Sequence, residues 1–271
     1  MPTFEQGLKH RPSEEFLSAA IYRPLAHRLV LALYRTPADP LHLLALHTVL
    51  GFLSAWLMVR GQDLLAAILL QVKSVLDNAD GQLARVKGLE SELGRYLDTD
   101  SDFLVNLALF YALYLRTGEG ALAALAFVVL TLVQSWDFNL EHLYRRARGE
   151  AFRSQARDKN GFLVKLLRLD YAVIFGLQDK LVRGLEGFLF RVQTASVSPE
   201  KRARLAHEWW NLFSTASLVN LGLTTQLFFL GLFLVLHQPR LYLTFVILQG
   251  AYLVGVYLWR ILRLLAIRSR P

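Results

Sequence analysis

The 271-residue chain contains no cysteine, and only 19% of its residues are charged. The first absence excludes disulfides, thiolate metal sites, iron–sulfur clusters and cysteine nucleophiles. The second departs from soluble domains, in which about a quarter of residues are charged. Acid is the scarcer sign, with 22 Asp and Glu against 30 Lys and Arg and a net charge of +8. Internal repeats and low-complexity tracts are not seen. The first 36 residues carry charges throughout, so no cleavable signal peptide is expected. Disorder is excluded by a hydrophobic content of 54%.

What is present is apolar runs of membrane-spanning length, roughly 20 residues each. Pro40–Val59, Gly120–Trp136, Trp209–Pro239 and Leu241–Trp259 contain little or no charge. Leu64–Leu76 and Phe103–Leu115 are shorter and run into acidic residues at one end. Extended by about two turns into those ends, they also reach spanning length. The expectation is an all-α integral membrane protein, one domain over residues 1–271, built as a bundle of six transmembrane helices. Connections on one side hold 26 of the Lys and Arg residues, and those on the other hold 3. The positive-inside rule then puts both termini, and the acidic ends of predicted helices two and three, in the cytoplasm, at the inner membrane if the source is bacterial. The basic excess is accounted for by topology and anionic lipid, so nucleic acid is not implied.

Two segments outside the runs read as amphipathic. In residues 1–36, Phe16, Leu17, Ala20 and Ile21 share a face, Pro24 is expected to break or kink the helix, and Leu29 and Leu33 follow at helical spacing. Residues 144–208 form a cytoplasmic insertion between predicted helices four and five. Its stripe is Ile174, Leu177, Leu181, Leu185, Phe188 and Val192. Such a helix can lie on the membrane or serve as a lid or platform for a substrate.

The most informative residues are Asp77, Asp80, Asp98 and Asp102. Ionisable groups at membrane depth cost about 2.5–3.5 kcal/mol each on insertion scales. Spacings of three and four put Asp77 and Asp80 on one helix face and Asp98 and Asp102 on another. Four carboxylates facing one another repel unless cations lie between them. A ligand set of carboxylates suits a hard ion such as Mg²⁺ or Mn²⁺, and four are enough for a two-metal site. Gly81 and Gly94 leave gaps on the same faces, and Arg85 supplies a planar fork suited to phosphate oxygens.

Together these residues read Asp77-x2-Asp80-Gly81-x2-Ala84-Arg85-x8-Gly94-x3-Asp98-x3-Asp102. This resembles the signature of the CDP-alcohol phosphotransferase family at all eight fixed positions. The resemblance implies that Asp77, Asp80, Asp98 and Asp102 are metal ligands for two Mg²⁺ or Mn²⁺ ions, with Asp102 also the catalytic base. It implies that Gly81, Arg85 and Gly94 line the CDP site. The implied reaction transfers a phosphatidyl group from a CDP-linked lipid such as CDP-diacylglycerol to an alcohol acceptor and releases CMP, in a homodimer. Thr36-Pro37-Ala38-Asp39-Pro40-Leu41-His42 departs from the Pro-Asn and Thr that often open the first span of family members, and residues 144–208 are longer than in compact members. A transporter that uses the acidic cluster as a cation or proton path is the competing class. Such proteins tend to have repeats and midplane acidic residues.

The remaining polar residues have plainer expectations. Lys73 pairs with a carboxylate, His42 and His47 are packed and hydrogen-bonded, and Glu92 and Asp100 are solvated or in turns. Gln134, Asp137, Asn139 and Glu141 either line an acceptor pocket or form a polar helix end. Arg153, Arg157 and Lys159 meet either an acceptor phosphate or anionic lipid. Trp136, Trp209, Trp210 and Trp259 are interfacial anchors, and Gly222 and Gly231 allow close helix packing.

Overall fold

The structure is a computed structural model that describes residues 1–150 and 161–268. Regular structure among the described residues is helical. The α-helices are α1 (Arg23–Leu33), α2 (Pro40–Val59), α3 (Asp63–Lys87), α4 (Glu92–Thr117), α5 (Gly120–Ala147), α6 (Phe162–Gln193), α7 (Pro199–Trp209), α8 (Leu212–Val219), α9 (Leu223–Val235) and α10 (Pro239–Arg268). Arg153, Arg157 and Lys159 lie outside the described residues.

Four segments are long and apolar enough to cross a membrane: Pro40–Val59, Gly120–Ala147, Pro199–Val235 and Pro239–Arg268. They mark an integral membrane protein. The sequence predicts six spans, and the two not in this set are α3 and α4. Those helices have 25 and 26 residues, about 38 Å at 1.5 Å per residue, but carry acid at one end. The uncharged run Trp209–Pro239, expected as one helix, is broken. The Asn211 side chain accepts from Ser214 N to start α8, and α9 starts after Gly222. Asn and Gly favour such caps and turns over continued helix. Pro24 does not break its helix either. Helical backbone runs on from Phe16 to Leu33, with a π-helical turn over Ser18–Tyr22 immediately before the proline, a local irregularity that accommodates its missing N–H.

Helix α3 is central, packing against α1, α2 and α9. Helix α4 packs against α2 and α5, and α5 against α10. Met58, Leu70, Leu113, Ala126, Leu234 and Leu243 form the fully buried centre of the core. A Cβ on Gly51 would lie 2.5 Å from Val105 Cγ1, so α2 and α4 approach as closely as a glycine permits. Gly231 does the same for α9 against Gln71 of α3. At the end of the bundle away from the acidic cluster, Arg116 donates to both oxygens of Asp63 and to the Met58 carbonyl, joining α2, α3 and α4.

Helix α6 keeps the predicted stripe exposed, with Leu177, Leu181 and Phe188 all more than half accessible. Its other face docks on the bundle through Glu186, which is fully buried. Glu186 accepts two bonds from Arg260 at 2.9 Å each, one each from the Trp209 and Trp210 indoles at 3.1 Å, and one from the Tyr257 hydroxyl. Trp209 and Trp210 are therefore not lipid anchors. Their N–H groups satisfy a buried carboxylate, and Trp209 is 0% exposed. Trp136 donates to the Tyr257 hydroxyl beside them. Trp259 is the most exposed of the four, its ring packed on Phe213.

The N-terminal residues cross one end of the bundle as a strap. The Gly7 carbonyl accepts from Arg85 Nε at 2.7 Å. Arg11 pairs with Asp137 at 3.1 Å and Glu141 at 2.8 Å on α5. Glu15 accepts from Thr225 N at 2.6 Å on α9. Burial pushes the Glu15 carboxyl above its usual range, against the bonds from Thr225.

Candidate active site

Helical rise alone brings the acidic residues to one level. Asp80 precedes the end of α3 by seven residues, Asp98 follows the start of α4 by six, and His47 follows the start of α2 by seven. At 1.5 Å per residue, each lies about 10 Å from the same end of the bundle. The chain ends that set this level are fixed locally. Asp39 caps α2 in a box closed by His42, Gly88 ends α3 in a left-handed turn with φ of 64°, and Ser91 caps α4 by accepting from Gly94 N.

One ligand atom from each of His47, Asp77, Asp80 and Asp98 lies within 4.8 Å of the others. His47 Nε2 is 3.0 Å from Asp80 Oδ2 and 3.9 Å from both Asp77 Oδ1 and Asp98 Oδ1. Side-chain exposure rises from 0% at His47 through 11% at Asp80 and 20% at Asp77 to 43% at Asp98. The cluster is thus walled on the α2 side and open toward α4. Asp102 is not among the four. Its Oδ1 accepts from Lys73 Nζ at 2.8 Å, and the lysine is fully buried. Lys73 therefore takes the carboxylate on the neighbouring helix rather than Asp77, four residues along its own.

The donor set fits a divalent cation. Three carboxylates converge, and Asp98 Oδ1 is buried with no hydrogen-bond partner among the described residues. An unpartnered buried carboxylate oxygen facing like charges is costly, and a cation there would satisfy it. His47 is the site residue that the acidic spacing does not reveal. It sits on another helix, and its only signal in the sequence is a polar side chain at membrane depth.

The two glycines differ in role. A Cβ on Gly81 would lie 3.3 Å from both Arg85 Nη atoms, so the gap lies directly under the guanidinium. A Cβ on Gly94 would instead meet the Ser91 hydroxyl of its own cap at 3.0 Å, with Leu41 of α2 at 3.8 Å. Arg85 uses Nε for the Gly7 carbonyl, which turns its Nη pair over Gly81.

Other polar residues are placed differently from expectation. Asp137 and Glu141 are held by Arg11 and, for Glu141, Arg145. Asn139 donates to Asp179 of α6. These three form a docking surface for the strap and α6. Glu92 is not simply solvated, because it accepts from Arg168 at 2.8 Å and from Tyr96. Both carboxylate oxygens of Asp100 are buried without a hydrogen-bond partner among the described residues.

No curated protein matches the chain. The family model described as CDP-alcohol phosphatidyltransferase matches residues 36–179, which run from before α2 into α6 and hold every residue of the acidic cluster. Members of this family typically use divalent metals and join a CDP-linked donor to an alcohol. With more than half of its length under that match, and three of its aspartates gathered around one point, the chain belongs to the CDP-alcohol phosphatidyltransferase family, a family of transferases in lipid synthesis.

Proposed function

We propose that this protein transfers a phosphatidyl group from a CDP-linked lipid such as CDP-diacylglycerol to an alcohol, releasing CMP, at the acidic end of a six-span bundle facing the cytoplasm. The observation that carries the reading is the convergence of Asp77, Asp80 and Asp98 within one 4.8 Å cluster, with Asp102 beside it. Asp77, Asp80 and Asp98 would hold two Mg²⁺ or Mn²⁺ ions, with Asp102 as their neighbour. Bound there, the ions would neutralise charge on the pyrophosphate and lower the pKa of a bound hydroxyl.

The chain's own groups supply the rest. Arg85 offers its two Nη atoms to a pyrophosphate oxygen pair, above the space left by Gly81. Asp102 has Oδ1 fixed by Lys73, so its Oδ2 takes the proton of the acceptor hydroxyl. The acceptor's hydroxyl oxygen forms a bond to the β-phosphorus as the bond from that phosphorus to the bridging oxygen of the leaving CMP breaks. The side open toward Asp98 leaves room for donor and acceptor to meet at the cluster. Helices α3 and α4 are read as the second and third of the six spans. Their acidic ends face the cytosol, where soluble CMP leaves.

The test is CMP release from CDP-diacylglycerol by purified protein, with a panel of alcohols and mass spectrometry of the lipid product. Activity should require Mg²⁺ or Mn²⁺ and vanish with EDTA. Asp102→Asn should still bind the donor but turn over at least about a hundredfold more slowly. Release at near wild-type rate by that variant would reject the base assignment.

A further inference from the structure

His47 brings no negative charge to the cluster, and it comes from a helix that contributes no aspartate to it. We propose that His47 is a positioning residue for the cations: its Nε2–H holds one oxygen of Asp80 and leaves the other to face the metal site. The inference rests on the divalent-cation reading above.

Three observations carry it. First, of the three carboxylates near Nε2, only Asp80 is at hydrogen-bond distance, 3.0 Å against 3.9 Å for Asp77 and Asp98. Second, the imidazole is 0% exposed, and its Nδ1 is buried with no partner among the described residues. A neutral imidazole carries one N–H. On Nδ1 that hydrogen would be a buried donor with no acceptor. On Nε2 it is satisfied by Asp80, and only a lone pair is left over. A nitrogen that carries a hydrogen is not a metal ligand, so His47 stands behind Asp80 rather than beside it. Third, α2 cannot readily carry the ring away. The helix is fixed by the Asp39 cap at one end and by the Gly51–Val105 contact one turn beyond His47.

The same device appears across the cluster, where Lys73 takes Oδ1 of Asp102. Each of these carboxylates therefore has one oxygen engaged by a buried basic side chain and one left for the groove. Outer-shell partners of this kind are typically worth 10–100-fold in metal affinity.

The test is Mn²⁺ affinity of the full chain in nanodiscs, read from the free-ion electron paramagnetic resonance signal, for wild type, His47→Leu and His47→Gln. His47→Leu should weaken Mn²⁺ by about 10–100-fold. His47→Gln, whose amide N–H can donate to Asp80, should recover to within about threefold of wild type. Pulsed measurements on the wild-type Mn²⁺ complex should show no ¹⁴N coupling of directly bound size. Unchanged affinity in His47→Leu, no recovery in His47→Gln, or a directly bound nitrogen would each overturn the proposal. The nitrogen measurement needs no variant, so a poorly folded leucine variant does not leave the matter open. If wild type binds Mn²⁺ and one of these results appears, the role of His47 alone falls. If wild type binds no divalent cation, the metal reading falls with it.

Discussion

Replacing Lys73 by methionine removes an ammonium buried against the acidic cluster. The ammonium is fully buried and lies 2.8 Å from Asp102 Oδ1. Breaking a buried pair by removing one partner typically costs about 3–5 kcal/mol, because the other charge is left uncompensated. Asp102 keeps 20% side-chain exposure, which lets water recover part of the loss and favours the lower figure, about 3 kcal/mol. In a chain of this size that corresponds to a fall of about 6–12 °C in the unfolding midpoint. Two further outcomes follow from the geometry. Divalent cations beside Asp102 replace the missing positive charge, so the loss should be smaller in Mn²⁺ than in EDTA. Asp102→Asn removes the need for the ammonium, so Lys73→Met with Asp102→Asn should cost less than the two single changes added, by about 1–3 kcal/mol. Thermal unfolding of the four proteins in detergent, with and without Mn²⁺, gives both numbers. Additivity within about 0.5 kcal/mol would refute the pair. An equal loss in EDTA and Mn²⁺ would refute the placement of Asp102 within reach of the cations.

Arg85→Lys should raise the KM for the CDP-linked donor about tenfold, because a point charge replaces a fork whose Nη pair is aimed over Gly81; unchanged donor kinetics would remove Arg85 from the site. Glu186→Gln leaves Arg260 buried without a charge partner, both being fully buried now, and should destabilise by about 3–5 kcal/mol; a loss below about 1 kcal/mol would mean the network does not hold α6. Gly51→Leu should overpack the α2–α4 contact by about 1–3 kcal/mol, and it should also weaken Mn²⁺ binding if the position of α2 sets that of His47. Unfolding midpoints and Mn²⁺ titration check both parts.

The acidic motif could be read from sequence because spacings of three and four leave little freedom. Once Asp77 and Asp80 are on one helix and Asp98 and Asp102 on the next, a short turn must bring their ends together. Arg85 and Gly81 follow by the same arithmetic, and the structure stacks one over the other. His47 escapes it because its partner Asp80 is 33 residues away on a different helix. The same limit hid the strap, since Arg11 finds Asp137 across 126 residues. Apolar composition misled in two places. It cannot see that Asn211 and Gly222 punctuate Trp209–Pro239. Nor can it tell a tryptophan at a lipid surface from Trp209, whose indole is spent on Glu186. The acidic ends of α3 and α4 are excess charge on a hydropathy scale, but in three dimensions they bring three carboxylates within 4.8 Å of one another.

The claim on which the account rests is that two neighbouring helices share divalent cations between their aspartates. Mn²⁺ titration of the wild-type chain and of Asp98→Asn, followed by electron paramagnetic resonance, tests it most directly. Two Mn²⁺ per wild-type chain with a spin-coupled spectrum are expected, the ions being about 3.5–4 Å apart, with loss of that coupling in Asp98→Asn. Wild-type protein that binds no Mn²⁺, or an Asp98→Asn spectrum identical to wild type, would contradict it.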